Sequence, residues 1–138
     1  MLNHVMFTNQ GTAENNPGMP DWAVVSITDF EEARIKPGWY AIHRSSFHDI
    51  DIDHAEHESR LLMTEEQALE IVDYVHAVAP HIESMLVHCR GGVSRSAAVA
   101  KWIAEVFKLP FDHSYDLYNR HVYRQLVEAS ERRKRRPL

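Results

Sequence analysis

One cysteine occurs in the chain, and it stands in the run VHCRGGVSRS, residues 87–96. His88 precedes Cys89, Gly91 and Gly92 follow, five residues separate Cys89 from Arg95, and Ser96 comes next. These types at this spacing suit one chemistry. A loop of Cys89, Arg90, Gly91, Gly92, Val93, Ser94 and Arg95, set between a strand and a helix, can turn its backbone N–H groups toward one centre. Such a nest, with a positive helix end behind it, binds a tetrahedral anion. Gly91 and Gly92 permit the tight path. Arg95 adds a planar fork of donors that pairs with two phosphate oxygens. The same field favours the thiolate of Cys89 over the thiol. A thiolate beneath a bound phosphoryl group is an in-line nucleophile, and the donors around it stabilise charge in the transition state. The Ser96 hydroxyl is placed to donate to the sulfur and help it leave in a second step.

HCRGGVSRS resembles the active-site signature of the protein tyrosine phosphatase superfamily: His-Cys, five residues, Arg, then Ser or Thr. The run GGVSRSAA is most similar to its small dual-specificity and prokaryotic or phage members. A looser likeness extends over residues 22–127, from WAVVSIT to the late LYNRHVYRQL. The resemblance implies a cysteine-dependent protein tyrosine or dual-specificity phosphatase, acting through a phosphocysteine without cofactor or metal. It makes Cys89 the nucleophile and gives phosphate binding to Arg90, Gly91, Gly92, Val93, Ser94 and Arg95. It has His88 orient the loop and leaves Asn119 and Arg120 as structural residues of a late helix. It also implies a general acid, an Asp from a separate loop ahead of the cysteine. The segment FHDIDIDHAEHE offers Asp49, Asp51 and Asp53. Asp51 is the first choice, Asp49 the next and Asp53 the last. Alternate residues of an extended segment share a face, so spacing alone does not choose among them. Arg90 departs from the small or acidic residue more frequent after the cysteine, and adds positive charge at the loop mouth.

Rival chemistries use the same residues. A lone Cys is more often an inert core residue, but not with His88, two glycines, Arg95 and Ser96 at these offsets. A rhodanese-like sulfurtransferase usually places one residue fewer between Cys and Arg. A non-catalytic phosphate-binding module would keep the loop without turnover. His48, His54 and His57 lie among the three Asp residues and raise a metal site or a substitute acid. The run from Asp49 imitates a calcium loop, then fails at His54, where Gly is needed, and at Arg60, where Glu is needed.

The elements that must position this loop are legible as patterns. WAVVSIT (22–28) reads as a buried strand and WYAIHRSSF (39–47) as a second, joined by DFEEARIKPG with a turn at Pro37-Gly38. Residues 48–59 read as a polar loop. Thr64 and Gln67 form a capping-box pattern, and Ala68, Ile71, Val72, Val75 and Val78 recur at helical spacing up to Pro80. Met85-Leu86-Val87 reads as a strand and 94–107 as a helix, broken by Leu109-Pro110. Ser114 is the expected cap of a last helix with Tyr115, Leu117, Tyr118, Val122, Leu126 and Val127 on its apolar face. Alternating strands and helices predict an α/β domain with a central, mostly parallel sheet flanked by helices.

The chain has 138 residues, 44% of them hydrophobic, which suits a single domain over 1–138 with a real core. Residues 1–20 and 131–138 read as flexible termini. The basic run ERRKRRPL reads as a solvated end, with an anionic docking tail as the sharper alternative. A formal net charge of −5 argues against general affinity for nucleic acid or an anionic membrane. The N-terminus lacks the pattern of a signal peptide. No run approaches the ~18–20 apolar residues of a membrane span. One unpaired cysteine favours a reducing compartment, so the expected location is cytoplasmic and the expected partner a phosphorylated protein or another phosphate monoester.

Overall fold

In the computed structural model, which describes residues 1–50 and 61–136, strand and helix alternate as the patterning requires. The order is β1 (His4–Asn9), α1 (Gln10–Asn15), β2 (Trp22–Thr28), β3 (Ala41–Ser46), α2 (Glu65–Val78), β4 (Ser84–Cys89), α3 (Arg95–Phe107) and α4 (Arg120–Arg135). A short 3-10 turn, Ala79–His81, follows α2. The strands form one sheet in the order β1-β4-β2-β3, and every pairing is parallel.

Alternation along each strand decides the two layers. Val25 and Ile27 of β2 and Met85, Val87 and Cys89 of β4 face one way, into a core completed by Ile71, Val75, Val99, Trp102, Val122 and Leu126 of the three long helices. Val24 and Leu86 face the other way, against Ala13 of α1 and the partly buried Trp22, Ile35 and Trp39. A parallel sheet buried on both faces explains why β2 and β4 read as near-continuous apolar runs.

Because all strands run the same way, their C-terminal ends share one end of the sheet. Asn9 is level with Cys89, Ser26 with His88, and Thr28 with Ser46. Loops leaving that end are where an α/β sheet builds a site. Among the described residues no helix is long and apolar enough to cross a membrane.

Three expectations are corrected. Residues 4–15 are a strand and a helix instead of a flexible terminus, because β1 adds its backbone to β4 along its whole length. The last helix begins with Asn119, whose side chain accepts the Val122 N–H at 3.0 Å; Ser114 instead closes a turn on Asp112. The basic end stays helical through Arg135, and Arg133 and Arg136 both reach Asp73 on α2, at 3.3 and 2.6 Å.

Candidate functional site

Cys89 is the last residue of β4 and Arg95 the first of α3, so the intervening loop has its ends fixed by the sheet and by a helix. Its middle is fixed as well. The Arg90 carbonyl accepts the Gln10 N–H at 3.3 Å, and the Val93 carbonyl accepts the Tyr115 hydroxyl. The Ser94 carbonyl accepts from Ala98 and Asn119, both at 3.1 Å. Gly92 has φ +68°, and a Cβ there would lie 2.4 Å from the Asn9 nitrogen. Gly91 would meet nothing within 4 Å. The two glycines therefore differ: Gly92 allows contact with β1, while Gly91 lies in open space.

The Cys89 sulfur is 3.1 Å from the Ser96 hydroxyl, the contact expected from the sequence. Cys89 is 2% exposed and packs as a buried member of the main core. His88 is fully buried. Its Nε2 lies 2.6 Å from the Ser26 hydroxyl and its Nδ1 3.4 Å from the Cys89 carbonyl. Burial pushes His88 below the ordinary histidine range, so it supports the loop as a neutral ring.

Two features concentrate positive charge and free donors at the loop. α2 begins with a complete capping box and Glu65 and Glu66 in its first turn, and α4 begins under the Asn119 cap. α3 has neither a side-chain cap nor an acidic residue in its first turn. Its leading N–H groups and the positive end of its dipole are left facing the loop. Arg95 is 4% exposed. Its Nη1 donates to Asp29 Oδ1 and to the Phe47 carbonyl, each at 2.7 Å. Its Nε is buried with no hydrogen-bond partner. A buried guanidinium N–H without an acceptor is costly, and a bound oxyanion is the group that would satisfy it.

Asp29 was not singled out in the sequence, where it sits in a connection. It touches both loop cations, since its Oδ2 is 3.8 Å from Arg90 Nη1. The Arg90 side chain is 81% exposed. The signal that finds Asp29 is topological: it follows Thr28 at the end of β2, the sheet end that also carries Cys89.

Asp49 reaches the loop too. Its Oδ1 accepts from the Ser94 hydroxyl and from Asn119 Nδ2, both at 2.8 Å, and Asn119 Nδ2 also donates to the Ile50 carbonyl at 3.1 Å. Asn119 thus ties α4, the end of the loop and residues 49–50 together. Asp51, Asp53, His54 and His57 lie outside the described residues. His48 is committed locally: its Nδ1 accepts the Leu61 N–H at 2.7 Å, and its own N–H donates to the Leu61 carbonyl at 2.8 Å.

No family model and no curated protein matches the chain. Solved structures do. Human DUSP28 superposes with a TM-score of 0.62 at 15% identity, over 94% of this chain and 93% of that one. A human tyrosine phosphatase-like serine/threonine/tyrosine-interacting protein superposes with a TM-score of 0.52 at 16% identity, over 81% and 78%. At these identities the likeness is one of fold, and it spans nearly the whole chain.

Two outcomes follow for stability. Gly92→Ala should destabilise the protein by at least about 1–3 kcal/mol in urea unfolding, since it strains a positive φ and drives a methyl group into β1. Gly91→Ala should stay within about 0.5 kcal/mol, and equal effects would refute the contact. Burial also lowers His43 and His76. All three histidines take up a proton more readily in the unfolded chain than in the fold. Their contribution is therefore complete above the ordinary value of 6.5 and is lost as the pH falls through the lowered folded values. The urea midpoint should be lower at about pH 5.5 than at about pH 7.5, and His88→Gln should narrow the gap; an unchanged midpoint would contradict it.

Proposed function

We propose that the chain is a cysteine-dependent phosphatase of the protein tyrosine phosphatase superfamily, hydrolysing phosphate monoesters of tyrosine or dual-specificity protein substrates. The buried, unpartnered Nε of Arg95, set beside the uncapped start of α3, carries this conclusion. It is a charge and donor arrangement suited to a tetrahedral oxyanion. The fold shared with DUSP28 and the Cys89–Ser96 contact support it.

In the first step the Cys89 thiolate attacks phosphorus. An S–P bond forms, the ester P–O bond breaks, and its electron pair leaves on the substrate oxygen. Arg95 and the N–H groups of residues 90–95 hold the three phosphoryl oxygens. Asp29 holds the guanidinium through Nη1, keeping the fork aligned with the loop. We assign Asp51 as the acid that protonates the leaving oxygen. Asp49, already engaged by Ser94 and Asn119, is the strut that anchors its segment beside the loop. In the second step the Asp51 carboxylate takes a proton from water, the new O–P bond forms and the S–P bond breaks. The sulfur departs as a thiolate that accepts a hydrogen bond from Ser96.

Cys89→Ser should reduce hydrolysis of p-nitrophenyl phosphate to background while orthovanadate binding survives. Full turnover in that variant removes the mechanism, and thiosulfate-to-cyanide transfer by a protein inert to phosphate esters would replace it with sulfur chemistry. Asp51→Asn should slow phenyl phosphate by about 100-fold or more and p-nitrophenyl phosphate, with its better leaving group, far less. That leaving-group signature appearing in Asp49→Asn instead would transfer the acid role to Asp49.

A further inference from the structure

The two borders of the sheet are treated differently. β3, at one border, carries Arg44, which donates to the Ala33 carbonyl at 2.8 Å and pairs with Glu32 at 3.7 Å. The Ser46 carbonyl is taken by Gln67 at 2.8 Å. That border is charged and covered. β1, at the other border, reads HVMFTN. It has no Lys, Arg, Asp, Glu or Pro, and Met6 is 38% exposed. Exposed border strands are normally blunted by such residues, because their outer row of N–H and C=O groups is a template for another strand.

Beside this border lies a cleft of about 400 Å³ lined by Val5, Met6, Phe7, Pro110, Phe111, Asp112 and Tyr115. Phe7 packs against Phe111 and Tyr115, with ring centroids 6.2 and 5.3 Å away. The cleft neighbours the proposed phosphate loop through two contacts. The Tyr115 hydroxyl binds the Val93 carbonyl, and the Thr8–Asn9 backbone is in contact with Gly92. Asn9 is level with Cys89. At about 3.3 Å per residue, Phe7 lies about 7 Å and Val5 about 13 Å down the strand from that level. An extended chain with its phosphorylated side chain in the loop covers that span within two to four residues.

We propose that the outer edge of β1 and its cleft seat an extended, apolar segment flanking the phosphorylated residue of a protein substrate, which adds a strand to the sheet. Main-chain hydrogen bonds to β1 supply affinity, and the cleft between Phe7, Phe111 and Met6 selects alternate apolar side chains. The occupant is a phosphopeptide because β1 ends level with Cys89 and Tyr115 of the cleft bonds the Val93 carbonyl of the loop proposed to hold the phosphoryl group. This inference rests on the phosphatase reading above and deepens it, from any phosphate monoester to a polypeptide with an apolar, strand-forming flank.

The test compares three substrates: p-nitrophenyl phosphate, a phosphotyrosine peptide with valine at alternate flanking positions, and the same peptide with aspartate there. The valine peptide should exceed the aspartate peptide in kcat/KM by about tenfold or more. Met6→Lys and Phe111→Ser should each erase that advantage while leaving p-nitrophenyl phosphate turnover unchanged, which also shows that the variants fold. Equal rates on the two peptides, or variants that slow all three substrates alike, would overturn the proposal. So would light scattering that shows a dimer dissociated by Met6→Lys, since a second copy would then own the border. Inertness toward all three substrates would bring down the phosphatase reading instead. Fluorescence anisotropy of the labelled valine peptide then decides the docking surface: binding abolished by Met6→Lys upholds it, and binding unchanged by that substitution removes it.

Discussion

A buried cation at the start of an uncapped helix is the constraint around which the rest of the molecule is arranged. Taking a guanidinium out of water costs several kcal/mol unless its donors are matched. Two contacts to Nη1 of Arg95, from Asp29 and from the Phe47 carbonyl, offset part of that cost. They come from the ends of two different strand connections, so Arg95 keeps its place only if β2 and β3 end where they do. Those ends are level because β2 and β3 pair in parallel register, Thr28 beside Ser46. The sheet thus fixes the arginine, and the arginine fixes the orientation of the loop that precedes it.

The loop itself is a backbone object more than a side-chain one. Its carbonyls at Arg90, Val93 and Ser94 are bound from outside by Gln10, Tyr115, Ala98 and Asn119. With these three carbonyls already engaged, the loop N–H groups would be the donors for the anion proposed above. Gly92 completes it by allowing direct approach to β1. Lys101 secures one of these outer ties at a distance. It lies 5.9, 5.2 and 5.4 Å from the ring centroids of Phe111, Tyr118 and Tyr123, and so clasps residues 108–119, the segment that carries Tyr115.

What the sequence disclosed followed the range of each interaction. The capping box at Thr64–Gln67, the helix over 94–107, the apolar runs 22–28 and 85–87 and the Cys89–Ser96 spacing are written in residues a few positions apart, and each lies in the expected element or contact. Asp29, 66 residues from Arg95 in sequence, has no local mark, and only the shared strand ends of a parallel sheet reveal it. β1 escaped because six residues, HVMFTN, alternate too briefly to separate a strand from a polar terminus. Asn119 and Ser114 are alike as caps in the sequence, since both types cap helices well, and contacts of Asn119 with Ser94 and Asp49, far off in sequence, make the choice.

The site takes its stability from elsewhere in the fold. An uncapped first turn, a positive-φ glycine, a buried histidine held neutral and a guanidinium N–H without an acceptor are each unfavourable by the rules that govern the remainder of the chain. They lie together, within the stretch from His88 to Arg95. Their neighbours are satisfied: α2 and α4 are capped at their starts, His121 bonds the Met63 carbonyl at 3.0 Å, and Tyr74 bonds the Val24 carbonyl at 2.9 Å. Trp39, Trp102, Gln125 and Arg132 also bury a polar atom without a hydrogen-bond partner, so the loop is distinguished by the coincidence of these features and not by being the sole place of conflict. The tetrahedral anion proposed for this loop would resolve two electrostatic conflicts at once, by facing the helix end and accepting from the guanidinium. Its binding energy would therefore return stability that the free loop forgoes, which couples occupancy of the loop to the rigidity of the whole domain.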